Sequence, residues 1–366
     1  MSSGLQAPHK KKRPNSPTHL RKKVTETPET TTTDTSPPVE TETKDLKRKA
    51  TEDPSPNLDS PDAVNKRQRI TPPLTNSDRV RLDAENNPNR PAMEKIYKEF
   101  FTDDGTRKNS GKALTDQLAK LYKMMGDGDA EYARKPVTKD EFVSFLRTPD
   151  AVVNSQSLLF KNPNATQSTV ERVERWRTKG DYFYVRNTKR KFPKAERRIA
   201  VNVQTQQAAL KVSKSISGLH TDPEVGPFLK DHKIYLTAAP NPGDVKHDKL
   251  VAYYTPNPDA MDDDDTVGNR IAETIENAVD PDDVGGEFAP FYSHIGPHTA
   301  WGEEPEAFTE SLKGSFTQSR EQTIAKLIQA DTSANVPDLQ TFITRIASAF
   351  QGAYIDPDAP HTHLEK

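Results

Sequence analysis

Arg198-Ile-Ala-Val-Asn-Val203, Lys233-Ile-Tyr-Leu-Thr237 and Leu250-Val-Ala-Tyr-Tyr254 are short runs rich in β-branched and aromatic residues, bounded by Gly, Pro and Asp. With Tyr182 to Val185 they predict four strands. Between the second and third, Gln204 to Ile216 carries Ala208, Leu210, Val212 and Ile216 and stops near Gly218, which predicts a helix. Upstream, Met93, Ile96, Tyr97, Phe100 and Phe101 recur at helical spacing, followed by Leu114, Leu118, Leu121 and Tyr122 and then Phe142, Phe145 and Leu146. Thr138 with Glu141 three residues later forms a capping-box signature for the last of these helices. Downstream, the acidic run Asp262 to Asp265 suits the positive end of a helix through Ile271, Ile275 and Val279. Two further helices are expected over about Arg320 to Ala330 and Pro337 to Tyr354. The expected fold is α+β: N-terminal helices, a central mainly antiparallel sheet and C-terminal helices.

The chain has 366 residues, but its composition is uneven. Residues 1–90 contain no Phe, Tyr or Trp, and 13 of the 30 prolines fall at or before Pro91. Such a segment has too little apolar surface to offset the entropy of ordering it, so a disordered tail is expected there. The resulting division is a tail over 1–90, a helical subdomain over 91–150, an α+β domain over 151–356 and a disordered C-terminus over 357–366.

The tail holds paired basic clusters: Lys10, Lys11, Lys12 and Arg13 with Arg21 to Lys23, then Lys47, Arg48 and Lys49 with Lys66, Arg67 and Arg69. Two short cation runs across a linker have the form of a bipartite nuclear localisation signal. The expected location is the nucleus, shared or not with the cytoplasm, and the expected partner is a nuclear import receptor. Ser-Pro and Thr-Pro pairs such as Ser16-Pro17 and Thr71-Pro72 are sites where phosphate would cancel that charge. The alternative is plain solubilising charge.

The formal net charge is -2. Residues 1–90 carry 17 Lys and Arg against 13 Asp and Glu, which leaves 35 against 41 in the remainder, a net of -6. That balance argues against a nucleic-acid-binding body. With no cysteine, the chain has no disulfide, thiolate metal site or cysteine nucleophile. No apolar run approaches the ~18 residues of a membrane span, so no membrane partner is expected. The sequence lacks GxxxxGK[ST], GxGxxG, GxSxG and HExxH, and His294 and His298 have Gly296 and Pro297 between them, which no zinc-binding helix would tolerate.

What remains is a set of cations on or beside the expected strands and one late helix: Arg198, Lys233, Lys246 and Arg320. They occur in the blocks Arg198 to Val203, His232 to Pro240, Lys246 to Tyr253, Glu303-Glu-Pro305 and Ser315-Phe-Thr-Gln-Ser-Arg320. In order and rough spacing these blocks resemble the HopA-type effector family, which includes type III effectors of plant-pathogenic bacteria and the lyase subunits of class V lanthipeptide synthetases. The resemblance covers about residues 155–330.

It implies an α+β fold related to the phosphothreonine lyases, and in catalytic members the removal of phosphate from phosphoserine or phosphothreonine by β-elimination, without metal or cofactor. The substrate would be a phosphorylated protein or peptide. Such chemistry needs a base for the Cα proton and cations for the departing phosphate. The resemblance makes Lys233 the candidate base, with Lys246, Arg320 and Arg198 as phosphate clamps and Asp248, Tyr253 and Asn202 in support. Departures are visible: Lys246 stands where Arg is usual, Thr317 replaces Gly, and the strand from Arg198 to Val203 has no histidine acid, leaving His247 or His220 as the substitute. A catalytically inactive module that binds phosphorylated or acidic partners is the alternative reading.

Overall fold

The computed structural model describes residues 79–364 apart from 127, 129, 163–178, 193, 240–244, 246, 260–264, 284, 309–313 and 331–335. The basic clusters of the tail and Lys246 therefore lie outside the described residues.

The chain is α+β. Helices α1 (Arg90–Phe100), α2 (Gly111–Leu118), α3 (Leu121–Gly126) and α4 (Lys139–Leu146) come first. Strand β1 (Ala151–Ser155), a single-turn helix α5 (Gln156–Leu159), β2 (Asp181–Asn187) and β3 (Arg197–Val201) follow. Next come helix α6 (Gln206–Gly218), β4 (Leu229–Leu236), β5 (Leu250–Tyr254) and helix α7 (Thr266–Ala278). The chain then runs through β6 (Ser293–His294), β7 (Thr299–Glu303), α8 (Pro305–Phe308), α9 (Phe316–Ala330) and α10 (Leu339–Gly352). The strands form one antiparallel sheet in the order β1-β2-β4-β5-β3-β7-β6.

Period-two alternation gives the sheet two different faces. Phe183, Val185, Ile199, Val201, Ile234, Leu250, Ala252 and Tyr254 point to one side, where α6 and α7 bury Val212, Ile216, Ile271 and Ile275 against them. On the other side Ala200 and Ala300 meet a helical layer that contributes Phe100, Leu121, Phe316, Ile324, Ile343 and Phe350. The small side chains at 200 and 300 let this layer approach closely. Gly302 takes that further: a Cβ there would come within 2.4 Å of the Phe316 ring.

The helix ends follow local chemistry. Thr138 and Glu141 form the expected capping box. Asp265 caps α7, its Oδ1 accepting from the Gly268 amide at 2.7 Å while its Oδ2 accepts from the Tyr254 hydroxyl at 2.6 Å and from Arg197 Nη1 at 2.8 Å. A cap of this kind contributes about 1 kcal/mol.

Three expected boundaries are corrected. Residues 79–90 belong to the body: Leu82 is fully buried and its amide donates to the Pro357 carbonyl at 2.8 Å. Residues 357–364 are packed as well, with Ala359 and His363 buried and Arg79 paired to Asp356 at 2.6 Å. Ion pairs and backbone bonds, which leave no periodic signal, clamp these two segments together. Residues 91–150 do not form a subdomain, because α1 and α3 pack on α10 and α9 while Phe142 of α4 sits edge-on to Phe183 of the sheet, ring centroids 4.9 Å apart.

Candidate functional site

The face of the sheet that carries Ala200 is only partly covered by helices. Beside Ala200, β2, β4, β5 and β3 present Tyr182, Tyr184, Asp231, Lys233, Tyr253 and Arg198 to a cavity of about 600 Å³. The register explains the cluster: Tyr184 stands opposite Lys233, and Asp231, Tyr253 and Arg198 lie in one row across β4, β5 and β3. Residues 22 to 55 apart in sequence thus meet on adjacent strands.

Lys233 is half-buried, with Nζ 4.5 Å from the Tyr182 ring centroid and 5.8 Å from that of Tyr253. Among the described residues it has no ion pair. Burial, and then the positive charge of Arg198, lower its pKa to about 8, with Asp248, Glu304 and Asp231 opposing. A tenth or so of such amines is neutral at pH 7, enough to serve as a base.

Arg198 is buried, and its guanidinium lies 5.2 Å from the Tyr253 ring centroid. Desolvation is the largest single influence and acts against its charge, but Glu304, Tyr292 and Tyr253 together outweigh it and hold the pKa high. Nε donates to Glu304 and Nη1 donates to the Tyr292 hydroxyl at 3.2 Å. That hydroxyl donates in turn to Asp248 Oδ2 at 3.0 Å, while the Tyr182 hydroxyl donates to the Asp248 carbonyl at 2.9 Å. Asp248 Oδ1 is buried with no hydrogen-bond partner among the described residues. Asp248 lines the cavity and is fixed between two tyrosines. Burial pushes the Tyr253 phenol well up, so it stays neutral as a wall.

The remaining candidates stand elsewhere. Arg320 does not line the cavity. It is fully buried on the inward face of α9, where Nε and Nη2 donate to the Pro360 carbonyl at 3.1 and 3.0 Å and Nη1 donates to Ser319 Oγ at 3.0 Å. The clamp expected of Arg320 is therefore corrected to a structural strut. The start of α9 reaches the cavity through Ser315, Thr317 and Gln318 instead, bringing the positive end of a 15-residue helix to it.

His247 lines a separate cavity of about 870 Å³ with Met125, Phe288 and His294, and Ala289 stands in the wall common to both cavities. His247 and Asp248 face different spaces, so the assignment of His247 as the acid is corrected. His220 is buried in the core beside His232, ring centroids 6.1 Å apart, and does not supply the acid either. Asn202 lies past the end of β3, where its Nδ2 donates to the carbonyls of Gly286 and Glu287 at 2.6 and 2.9 Å. It holds a loop and lies outside the cavity lining.

Sequence reasoning missed Asp231, Tyr182, Tyr184 and Glu304. Asp231 was within reach of it, since residues two apart in a strand share a face. No group of three or more His, Cys, Asp or Glu among the described residues could hold a metal ion. No helix among the described residues is long and apolar enough to cross a membrane.

No protein-family model matches the chain, and no curated protein sequence matches it. In structure it is similar to an effector protein from Pseudomonas syringae pv. tomato strain DC3000, at 14% identity and a TM-score of 0.51 over 75% of this chain and 96% of that one. It is also similar to an effector protein from Pseudomonas syringae pv. syringae strain 61, at 13% identity and a TM-score of 0.52 over the same shares. At such identity the likeness is one of fold, and the fold of this chain is that of these bacterial effectors.

Proposed function

We propose that the chain is a phosphoserine/phosphothreonine lyase of the HopA type, converting the phosphorylated residue of a protein or peptide to its dehydroamino acid and releasing phosphate. The observation that carries this reading is Lys233, an amine with a pKa of about 8 on the floor of a cavity it shares with Arg198 and the start of α9. Elimination needs those parts: a base over the Cα proton, and positive charge around the leaving phosphate that does not have to reorganise as the bond breaks. Arg198 Nη2 has no hydrogen-bond partner among the described residues and is the available donor. The test is incubation of the full chain with phosphothreonine peptides and mass spectrometry for loss of phosphoric acid. Lys233→Ala is expected to abolish that loss with peptide affinity largely kept, and an unchanged rate in this variant would refute the assignment of the base.

One arrangement favours the second reading, a module that binds phosphorylated or acidic partners without reaction. Glu304 already occupies Arg198 Nε, and Arg320 is sealed away, so the phosphate grip is weaker than the resemblance implies. Binding of the peptides without elimination would decide for it. We also propose import into the nucleus through the basic clusters of residues 1–78; neutralising Lys47 to Lys49 and Lys66 to Arg69 should then leave a tagged protein in the cytoplasm.

A further inference from the structure

Asp231 stands two residues before Lys233 on β4. His232, between them, is fully buried and bonds to Ser213 of α6 at 2.8 Å, so the two flanking side chains share the opposite, cavity face. The pairing of β4 with β5 shifts between Leu229 and Asp231, a bulge with Lys230 as the extra residue. Bulges re-aim side chains, and here Lys230 and Asp231 both line the cavity. Asp231 is 5% exposed, and among the described residues its carboxylate has no hydrogen bond and one ion pair, to Arg190 at 4.0 Å. It is a buried carboxyl held only by that one long ion pair among the described residues.

We propose that Asp231 is the general acid of this site, giving its proton to the bridging oxygen of the departing phosphate. This rests on the lyase reading and fills the position that His247 does not. In the step, the neutral amine of Lys233 takes the Cα proton. The electrons of that C–H bond form the double bond to Cβ, the Cβ–O pair leaves with the phosphate, and the Asp231 proton goes to that oxygen, so a dianionic ester departs as hydrogen phosphate. Lys233 is left as ammonium and Asp231 as carboxylate, and one proton passing from the first to the second restores the starting state. Lys230, Arg190 and Arg186 favour the ionised carboxyl, whereas burial, which dominates, and Glu304 favour the neutral one, so its pKa is raised.

The test measures kcat/KM against pH for the wild type and Asp231→Asn, with a phosphothreonine peptide and with the same peptide carrying β-chloroalanine, whose chloride leaves without a proton. A rate that needs neutral Asp231 and neutral Lys233 together rises through the carboxyl pKa and falls again above about 8. The expected wild-type profile with the phosphopeptide is therefore a bell. The Asn variant should lose roughly 100-fold or more on the phosphopeptide, keep its rate on the chloro peptide within about threefold, and show a residual rate that climbs through pH 8 to a plateau. A wild-type phosphopeptide profile that climbs through pH 8 and stays level, an Asn variant with unchanged rate, or equal loss on both peptides overturns the acid assignment. Absence of elimination by the wild type from either peptide refutes the lyase reading itself, and the acid with it.

Discussion

The Arg320 guanidinium lies 3.9 Å from the centroid of the Phe316 ring. The opposite face of that ring is stacked on Tyr292 at 4.2 Å. The Arg198 guanidinium is 5.8 Å from the same Phe316 centroid, so the Phe316 ring is the element shared by the two arginines, and Arg320 turns its Nε and Nη2 to the Pro360 carbonyl. Burial lowers the Arg320 pKa to about 9, yet it remains charged at neutral pH.

A strut in that position predicts a stability effect. Arg320→Ala removes the donors to Pro360 and leaves a cavity behind Phe316, which should cost roughly 2–5 kcal/mol in urea unfolding. Where the variant is still folded, its affinity for phosphopeptide should match the wild type. Loss of affinity with an unchanged unfolding midpoint in Arg320→Met would show instead that the guanidinium binds phosphate.

Gly302 gives an independent handle on the same packing. Gly302→Ala drives a methyl into the Phe316 ring from the sheet side, and the ring is held between Tyr292 and Arg320 and has nowhere to move. The expected loss is about 1–3 kcal/mol, seen as a lower Tm. An unchanged Tm would mean that the helical layer yields more easily than this packing allows.

Much of the sheet was readable because β2, β3, β4 and β5 alternate or run apolar without interruption. Strand β1 escaped because Ala151-Val-Val-Asn-Ser155 is short and ends in polar residues, and β7 because Gly302 and Glu303 break its apolar run. The site was legible in part for the same reason. Lys233, Arg198, Asp248 and Tyr253 belong to strands or to the turn before one, and strand register brings them together. Arg320 misled because its sequence block names a residue type but not a helix face. Phe316 and Arg320 are four apart, so the ring that packs on the sheet carries the arginine inward with it.

The core should be acid-labile. Burial lowers the pKa of His220 to about 4 and that of His232 well below its usual value. In the unfolded chain both titrate near ~6.5, so on acidification the unfolded state takes up protons that the folded state refuses. Stability should be level above about pH 6.5 and fall as the pH drops toward 4. His220→Phe, which removes one of these groups and keeps a ring, should flatten the decline measured by denaturant unfolding at pH 4.5, 5.5 and 7. An equal slope in the variant would assign the acid sensitivity elsewhere.

Glu304 sets how much of Arg198 is left for an anion. The carboxylate occupies Nε and adds a negative charge to a cavity that must take in a dianion. At an effective dielectric of about 20, one charge a few ångströms away is worth more than 1 kcal/mol, so Glu304→Gln should tighten inorganic phosphate roughly tenfold. The variant leaves a buried guanidinium without its counter-charge, so it should also be less stable until phosphate is added, with a Tm that rises more steeply with phosphate than that of the wild type. Calorimetric titration at low salt measures the first effect and thermal melts across a phosphate series measure the second. Weaker phosphate binding by Glu304→Gln would mean that Glu304 aims Arg198 at the anion and does not compete with it.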